Sequence, residues 1–165
     1  MSRDHDTAAG QHERLRADHP DWVIQHMPAA NLPWEARRKP FRMPPTGGYG
    51  WIHADTADRL AELIGGALQV EAQLAVETAA RARLDALRVR LLAVGFGAEL
   101  AAGELTVIAP VSDGPRLSDV VTCRPRLEDD GRLWFFDHRG EPIAEADNVT
   151  DAVVHLGGTL RRVGP

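Results

Sequence analysis

The chain has 165 residues, of which 44% are hydrophobic, and its formal net charge is −5. A chain of this mass buries roughly 70% of its unfolded surface in one core, so one domain or two very small ones are expected. Without a long apolar run or a signal-peptide pattern in residues 1–19, we expect a cytoplasmic protein that does not associate with membranes.

Scarce residue types exclude several kinds of chemistry. Cys123 is the only cysteine, which excludes an internal disulfide and a cysteine-rich metal cage. Lys39 is the only lysine and does not stand in a phosphate-binding loop, and none of the three serines lies in a hydrolase motif. The sequence therefore predicts no cofactor and no metal site.

In chain order, residues 1–20 are polar and end at Pro20, which predicts a flexible or short helical lead-in. Three short strands are then expected in runs 22–27, 34–38 and 49–53, which are bounded by prolines and glycines. A helix follows, capped by Asp55 or Thr56, and its apolar spacing continues to Leu91 before Gly95. One helix over residues 56–93 would be about 57 Å long, so we expect it either to break or to pack on a second chain.

The second half repeats this order. Runs 103–110, 120–127 and 132–138 are strand-like, and residues 142–146 lead into a helix that carries Leu156 and Leu160. A shift of 92 positions aligns Ala54-Asp55-Thr56 with Ala146-Asp147-Asn148, and each copy then has Gly-Gly inside its helix. We interpret this as an internal duplication, in which the paired glycines either permit close packing or, in the first copy, end the helix.

These observations predict an α+β protein made of two related β-β-β-α units joined by a long central helix. Residues 1–20 would be the lead-in and residues 21–68 the first unit. Residues 69–98 would form the connecting helix and residues 99–165 the second unit, which carries most of the negative charge.

The end of the long helix is a candidate surface for a partner or a second copy of the chain. Three leucines form a narrow apolar stripe with arginines along both edges, a pattern that suits a groove with an acidic or solvated rim. Alternatively, the stripe packs on the chain's own core and Asp85 pairs with Arg81. The predicted partner-binding residues are Arg81, Arg83, Leu84, Leu87, Arg88, Arg90 and Leu91.

Two further sets of residues offer surfaces for partners. The aromatic residues Trp22, Trp34, Tyr49 and Trp51 of the first unit are either contact residues or core. A basic and aromatic cluster nearby is either a solvated loop or a site that holds a phosphate backbone and stacks a base. That candidate nucleic-acid site consists of Trp34, Arg37, Arg38, Lys39 and Arg42.

A hairpin at Asp130-Gly131 contains a candidate catalytic pair. A two-residue turn would place Cys123 opposite His138 and Arg124 opposite Asp137, which brings a thiol near an imidazole. A longer turn would separate the first pair, and a thiol that points into the core would be inert. No third catalytic residue is identifiable, so a small thiol enzyme is only an alternative hypothesis.

Parts of the sequence resemble small uncharacterised proteins of high-GC Gram-positive bacteria. The segments that carry the resemblance are 19–24, 34–38, 122–126, 131–135 and 140–147, about a third of the chain. The resemblance implies a class of host and no activity, cofactor or site residue.

Taken together, these features favour a non-catalytic cytosolic adaptor or regulatory module that binds itself as a homodimer and binds an unidentified protein. A nucleic-acid-associated protein is the first alternative. A thiol enzyme is the second.

Overall fold

A computed structural model, which describes residues 2–40, 43–110 and 117–161, shows an α+β protein with a three-stranded and a five-stranded sheet. The chain divides into two compact units between Ala75 and Val76. No helix among the described residues is long and apolar enough to cross a membrane. The elements are α1 (Ser2–Asp18), β1 (Trp22–His26), β2 (Trp34–Arg38), β3 (Trp51–Ala54), α2 (Ala57–Ala93), β4 (Gly97–Ala101), β5 (Glu104–Ile108), β6 (Ser118–Arg126), β7 (Arg132–Phe136), β8 (Pro142–Glu145) and α3 (Val149–Arg161).

The first unit contains an antiparallel sheet in the order β1-β2-β3. In the centre of the sheet, Ala36 faces Ile24 on β1 and Ile52 on β3, and all three are buried. Because side chains alternate along a strand, the positions next to them face the opposite side of the sheet. The three predicted strands are confirmed, although β3 starts two residues later than expected.

Helices supply the rest of the first core. Leu15 of α1 and Leu60 and Ile64 of α2 are buried in the same cluster as the inner face of the sheet. Where we expected a flexible or short helical lead-in, the structure therefore has a helix that contributes a core residue. Thr56 caps α2, since its Oγ1 accepts a hydrogen bond from the Arg59 backbone N–H at 3.2 Å.

Helix α2 is continuous from Ala57 to Ala93, so the paired glycines Gly65 and Gly66 do not end it. A Cβ added at either glycine would meet nothing within 4 Å. The close approach that we expected these glycines to permit is therefore not made within the described part of the chain. The helix ends as predicted, with Gly95 in the left-handed region at a φ of 90°.

The second unit is built on a five-stranded antiparallel meander in the order β4-β5-β6-β7-β8. Leu105, Val121 and Phe135 on successive strands are fully buried. β4 was not predicted, because its Gly-Ala-Glu-Leu-Ala sequence has little β-propensity, and the residues of β8 were expected only to lead into α3. The second sheet therefore has five strands and is not a three-stranded copy of the first.

The predicted register of the β6–β7 hairpin is wrong. A 3-10 turn over Leu127–Asp129 precedes Asp130-Gly131 and lengthens the loop, and the Trp134 indole N–H donates to Asp129 Oδ2 at 2.7 Å. Cys123 consequently faces Phe135 instead of His138. Arg124 faces Trp134, so the expected cross-strand pairing with Asp137 is also wrong.

Candidate partner-binding site

The outer face of the first sheet carries polar and aromatic side chains. Glu35 and Arg37 lie on this face of β2, opposite His53 and Trp51 of β3 respectively. Their positions follow from alternation, because the neighbouring residues Ala36 and Ile52 point into the core. The arrangement gives the unit a chemically distinct surface on the side away from its core.

Glu35 organises this face. Its side chain is only 3% exposed, and its carboxylate lies 2.5 Å from Arg37 Nε and 3.2 Å from His53 Nε2. A buried carboxylate needs such partners, because an unpaired charge at this depth would be strongly destabilising. The Arg37 guanidinium also stacks over the Trp51 ring, 4.5 Å from its centroid. These contacts fix the position of Trp51 without covering it.

Trp51 borders an apolar pocket between β3 and α2. The pocket has a volume of about 390 Å³, and Tyr49 and Trp51 remain 54% and 56% exposed beside it. Such a volume lies at the lower end of the range for ligand pockets and is large enough to admit a large apolar side chain. We call it the β3 groove; its lining is Tyr49, Trp51, Ile52, Glu62, Leu63, Gly66, Ala67 and Val70.

The β3 groove lies along the edge of the sheet. Among the described residues, β3 pairs with β2 and with no other strand. An edge strand presents unpaired backbone N–H and C=O groups, to which an extended segment of another chain can add. Strand edge and pocket together form a site with both backbone and side-chain recognition.

The four aromatic residues that the sequence offered as contact residues fall into two classes. Trp22 and Trp34 are buried at 2% and 4% exposure, because they lie on the inner face of the sheet. Tyr49 and Trp51 are the exposed pair. Sequence composition alone could not separate the two classes, because the separation depends on strand register.

The predicted nucleic-acid cluster is largely engaged within the first unit. Both carboxylate oxygens of Glu71 accept from Arg38, at 2.5 and 2.6 Å, and the Lys39 ammonium donates to the Pro20 carbonyl at 2.9 Å. Arg37 is paired with Glu35, as described above. Trp34 cannot stack a base because it is buried, and Arg42 lies outside the described residues.

The apolar stripe predicted to bind a partner is covered by this chain. Leu84, Leu87 and Leu91 are at most 1% exposed in the core of the second unit, so they offer no surface to another protein. Burial of these leucines agrees with the alternative in which the stripe packs on its own core, although Asp85 pairs with Arg88 and not with Arg81. Of the flanking arginines, three are exposed and Arg88 is half-buried: Arg81, Arg83, Arg88 and Arg90.

The alternative catalytic pair is not assembled. Burial raises the pKa of the Cys123 thiol to about 11, opposed by the smaller effect of the Arg83 guanidinium. A thiol with this pKa is protonated at neutral pH and is a poor nucleophile. Cys123 borders a pocket of about 470 Å³, but His138, the imidazole expected to activate it, lies beyond the end of β7 and is hydrogen-bonded to Asp119.

His138 is instead held by a carboxylate that sequence reasoning missed. Asp119 is buried, and its Oδ1 accepts from His138 Nδ1 at 2.7 Å and from the Val120 backbone N–H at 2.7 Å. No local motif could have revealed this pair, because its members are separated by the length of the β6–β7 hairpin. Asp137 lies close enough to complete a possible set of metal ligands, but its Oδ1 already accepts the backbone N–H groups of Arg139 and Glu141.

Comparison with known proteins does not relate this chain to a known family. No protein-family model, curated protein or solved structure matches the chain. The geometry of the described residues therefore has to support any function proposed for it.

Proposed function

We propose that the protein is a non-catalytic cytoplasmic adaptor or regulatory module, homodimeric, which binds an extended segment of another protein at the β3 groove. The observation that carries the proposal is the apolar pocket beside the unpaired edge of β3, with Trp51 and Tyr49 exposed at its border. Tryptophan, tyrosine and arginine are the residues most enriched at the energetic centres of protein interfaces.

The recognition mode follows from the two parts of the site. The backbone of the incoming segment would pair with β3, which supplies affinity without regard to sequence. Every second side chain of that segment points to one face of the extended sheet. One such side chain would enter the pocket against Leu63 and Val70, and this contact would select a large apolar residue.

Preorganisation favours the same site. Arg37 and Glu35 hold Trp51 from the outer face, so the aromatic ring does not have to be ordered when a segment binds. β3 has only four residues, so few backbone hydrogen bonds can form. We therefore expect dissociation constants on the order of 10 μM, which correspond to about 7 kcal/mol.

The two alternative functions receive less support. Of the cations expected to hold a phosphate backbone, the described Arg37, Arg38 and Lys39 are paired with Glu35, with Glu71 and with a backbone carbonyl, respectively. The raised pKa of Cys123 and the hairpin register do not favour a thiol enzyme.

A peptide-display selection against the intact protein tests the proposal. We expect enriched 12-residue peptides to share one large apolar residue within a β-prone run. A synthetic peptide of the enriched sequence should bind at least ten-fold more weakly to the Gly66→Leu variant, because the new side chain fills the pocket. Gly158→Leu is the matched control, since it adds the same side chain at an exposed helical glycine with nothing within 4 Å, in the second unit.

Three results would overturn the proposal: no enriched peptides, binding that persists in Gly66→Leu, or equal loss in the Gly158→Leu control.

Fluorescence anisotropy with a labelled RNA or DNA oligonucleotide tests the alternative of nucleic-acid binding. Nucleic-acid binding that falls steeply with salt and disappears in Arg37→Ala would transfer the function to the basic cluster.

We also infer that β3 with the start of α2, and β8 with α3, derive from a duplicated segment. In support, Ala54 and Ala146 are both buried at the shift of 92 positions, as are Ile64 and Leu156, and each segment is preceded by two antiparallel strands. Aligned sequences of related proteins test the inference. Segments 54–68 and 146–160 should be more alike in those sequences than unrelated strand–helix pairs, and background similarity would contradict it.

A further inference from the structure

Helix α2 carries a second apolar surface, of which only the first position, Ala61, packs against a core of the described residues. From Ala61 to Ala93, alternating steps of four and three residues reach ten positions, and all of them are Ala except Gly65, Leu68 and Val89. The eight positions from Leu68 onwards are exposed, and the first two are half-buried. We call these ten positions the heptad stripe. The exposed leucine and valine are 42% and 55% accessible.

We propose that the heptad stripe is the interface between two copies of this chain, which pack their α2 helices antiparallel about a two-fold axis near residue 77. Steps of four and three residues are the period at which two helices keep one seam in contact. The proposal rests on the homodimer proposed above and identifies the surface that forms it.

The sizes of the side chains select the antiparallel arrangement. About this axis, facing residue numbers sum to 154, so Leu68 faces the partner's Ala86 and Val89 faces the partner's Gly65. Each large side chain then meets a small one, as a close-packed seam requires. A parallel pair would oppose Leu68 to Leu68 and Val89 to Val89, which gives two overfilled layers, and Gly65 to Gly65, which gives an empty one.

Charge complementarity supports the same register. Beside the stripe, Glu62 would lie near the partner's Arg90, and the two-fold axis creates this opposite-charge contact twice. Glu62 and Arg90 are both exposed, and Glu62 also pairs with Arg59 on its own helix, at 2.8 Å. On the other flank, Glu71 and Asp85 would approach each other, but they are already paired with Arg38 and Arg88 within the chain.

The arrangement also accounts for Gly65. A glycine inside a helix costs about 1 kcal/mol relative to alanine, and nothing in the described part of the chain occupies the space that this glycine leaves. The partner's Val89 would occupy it. A stripe about 50 Å long and 10 Å wide buries on the order of 1,000 Å² in total, which is near the lower limit for a specific interface.

Sedimentation equilibrium of the intact protein tests the proposal. We expect a mass of twice 18.0 kDa at micromolar concentration. Ala79→Glu places carboxylates near the axis and should raise the dimer dissociation constant at least 100-fold. Gln73→Glu adds the same charge on another face of α2 and should leave the dimer intact, while circular dichroism shows that both variants keep their helix.

Cross-linking decides the orientation in a Cys123→Ala background. Leu68→Cys and Ala86→Cys variants should form a disulfide when mixed, and neither should cross-link to itself. Self-linking of either variant would contradict the antiparallel register. A dimer that survives Ala79→Glu would overturn the heptad stripe and leave the homodimer standing, whereas a monomer at 18.0 kDa would overturn both. In each case the β3 groove is judged separately, by peptide binding.

Discussion

In both units, helix residues cover one face of an antiparallel sheet. The two units differ in how the aromatic residue on the opposite face is packed. In the second unit, the Arg126 guanidinium lies 4.8 Å from the Trp134 ring centroid, and Asp129 accepts a hydrogen bond from the indole N–H. Both the ring face and the N–H of Trp134 therefore have partners within the chain. In the first unit, Arg37 stacks on Trp51 in the same way, yet Trp51 stays 56% exposed beside an apolar pocket. This difference is the reason that we propose the binding function for the first unit.

The largest expected effect contrasts two tryptophans of the first unit. Trp34→Ala removes a side chain that is 4% exposed and should lower the free energy of unfolding by about 3–5 kcal/mol. Trp51→Ala should lower it by less than about 1 kcal/mol, because Trp51 contributes little to the core. Urea denaturation measures both, and equal losses would show that Trp51 serves stability and not binding.

A somewhat smaller effect is expected at the buried carboxylate of the second unit. Asp119→Ala leaves the backbone N–H groups of Val120 and His138 without their acceptor, and should cost about 2–3 kcal/mol. His138→Ala should cost less, since its side chain is 54% exposed. Thermal unfolding of the two variants provides the comparison, and a larger loss for His138→Ala would contradict a purely structural carboxylate.

Thiol chemistry in the second unit should be slow. At pH 8, Cys123 should react with iodoacetamide about 100-fold more slowly than an unperturbed thiol, because its pKa is raised from 9.0 to about 11. Between these two values the unfolded state loses the proton first, so stability falls as pH rises, and Cys123→Ala should remove that part of the slope. Fast alkylation of Cys123 at pH 7 that slows in His138→Ala would contradict this expectation and support the thiol-enzyme hypothesis.

The smallest expected effect is on stability, and it should be the same for a helical glycine in each of the two units. Gly66→Ala and Gly158→Ala should each raise the free energy of unfolding by about 1 kcal/mol, because an added Cβ meets nothing within 4 Å and alanine favours a helix. Denaturant midpoints test this expectation. A loss of stability at either position would mean that the backbone there needs glycine for a reason absent from the structure.

The sequence predicted the elements that depend on local signals. Runs of aromatic and β-branched residues bounded by prolines and glycines located β1 to β3, Asp55 or Thr56 marked the start of α2, and Gly95 marked its end. The sequence-based predictions were wrong or incomplete where strand pairing between distant residues determines the structure. The extra turn before Asp130 shifted the β6–β7 register, and β4 forms by pairing with β5 despite a sequence of low β-propensity.

The candidate site illustrates the same limit. Trp34 and Trp51 are both strand tryptophans, and only the pairing of β2 with β3 shows that one faces the core and the other the outer surface. The arginines flanking Leu87 suggested an interface, whereas the leucines between them proved to be core. The heptad stripe of α2 consists mostly of alanines. Alanine is interpreted from sequence as a helix-forming residue, so it does not indicate a contact surface.

The most direct test of the binding function is NMR titration of the intact protein with the peptide selected by display. We predict that the largest amide shifts fall on β3 and on the α2 residues of the groove, including Trp51, Ile52 and Val70. The strands of the second unit should stay unperturbed. Shifts concentrated on the second unit, or scattered over both without a maximum at β3, would contradict the account.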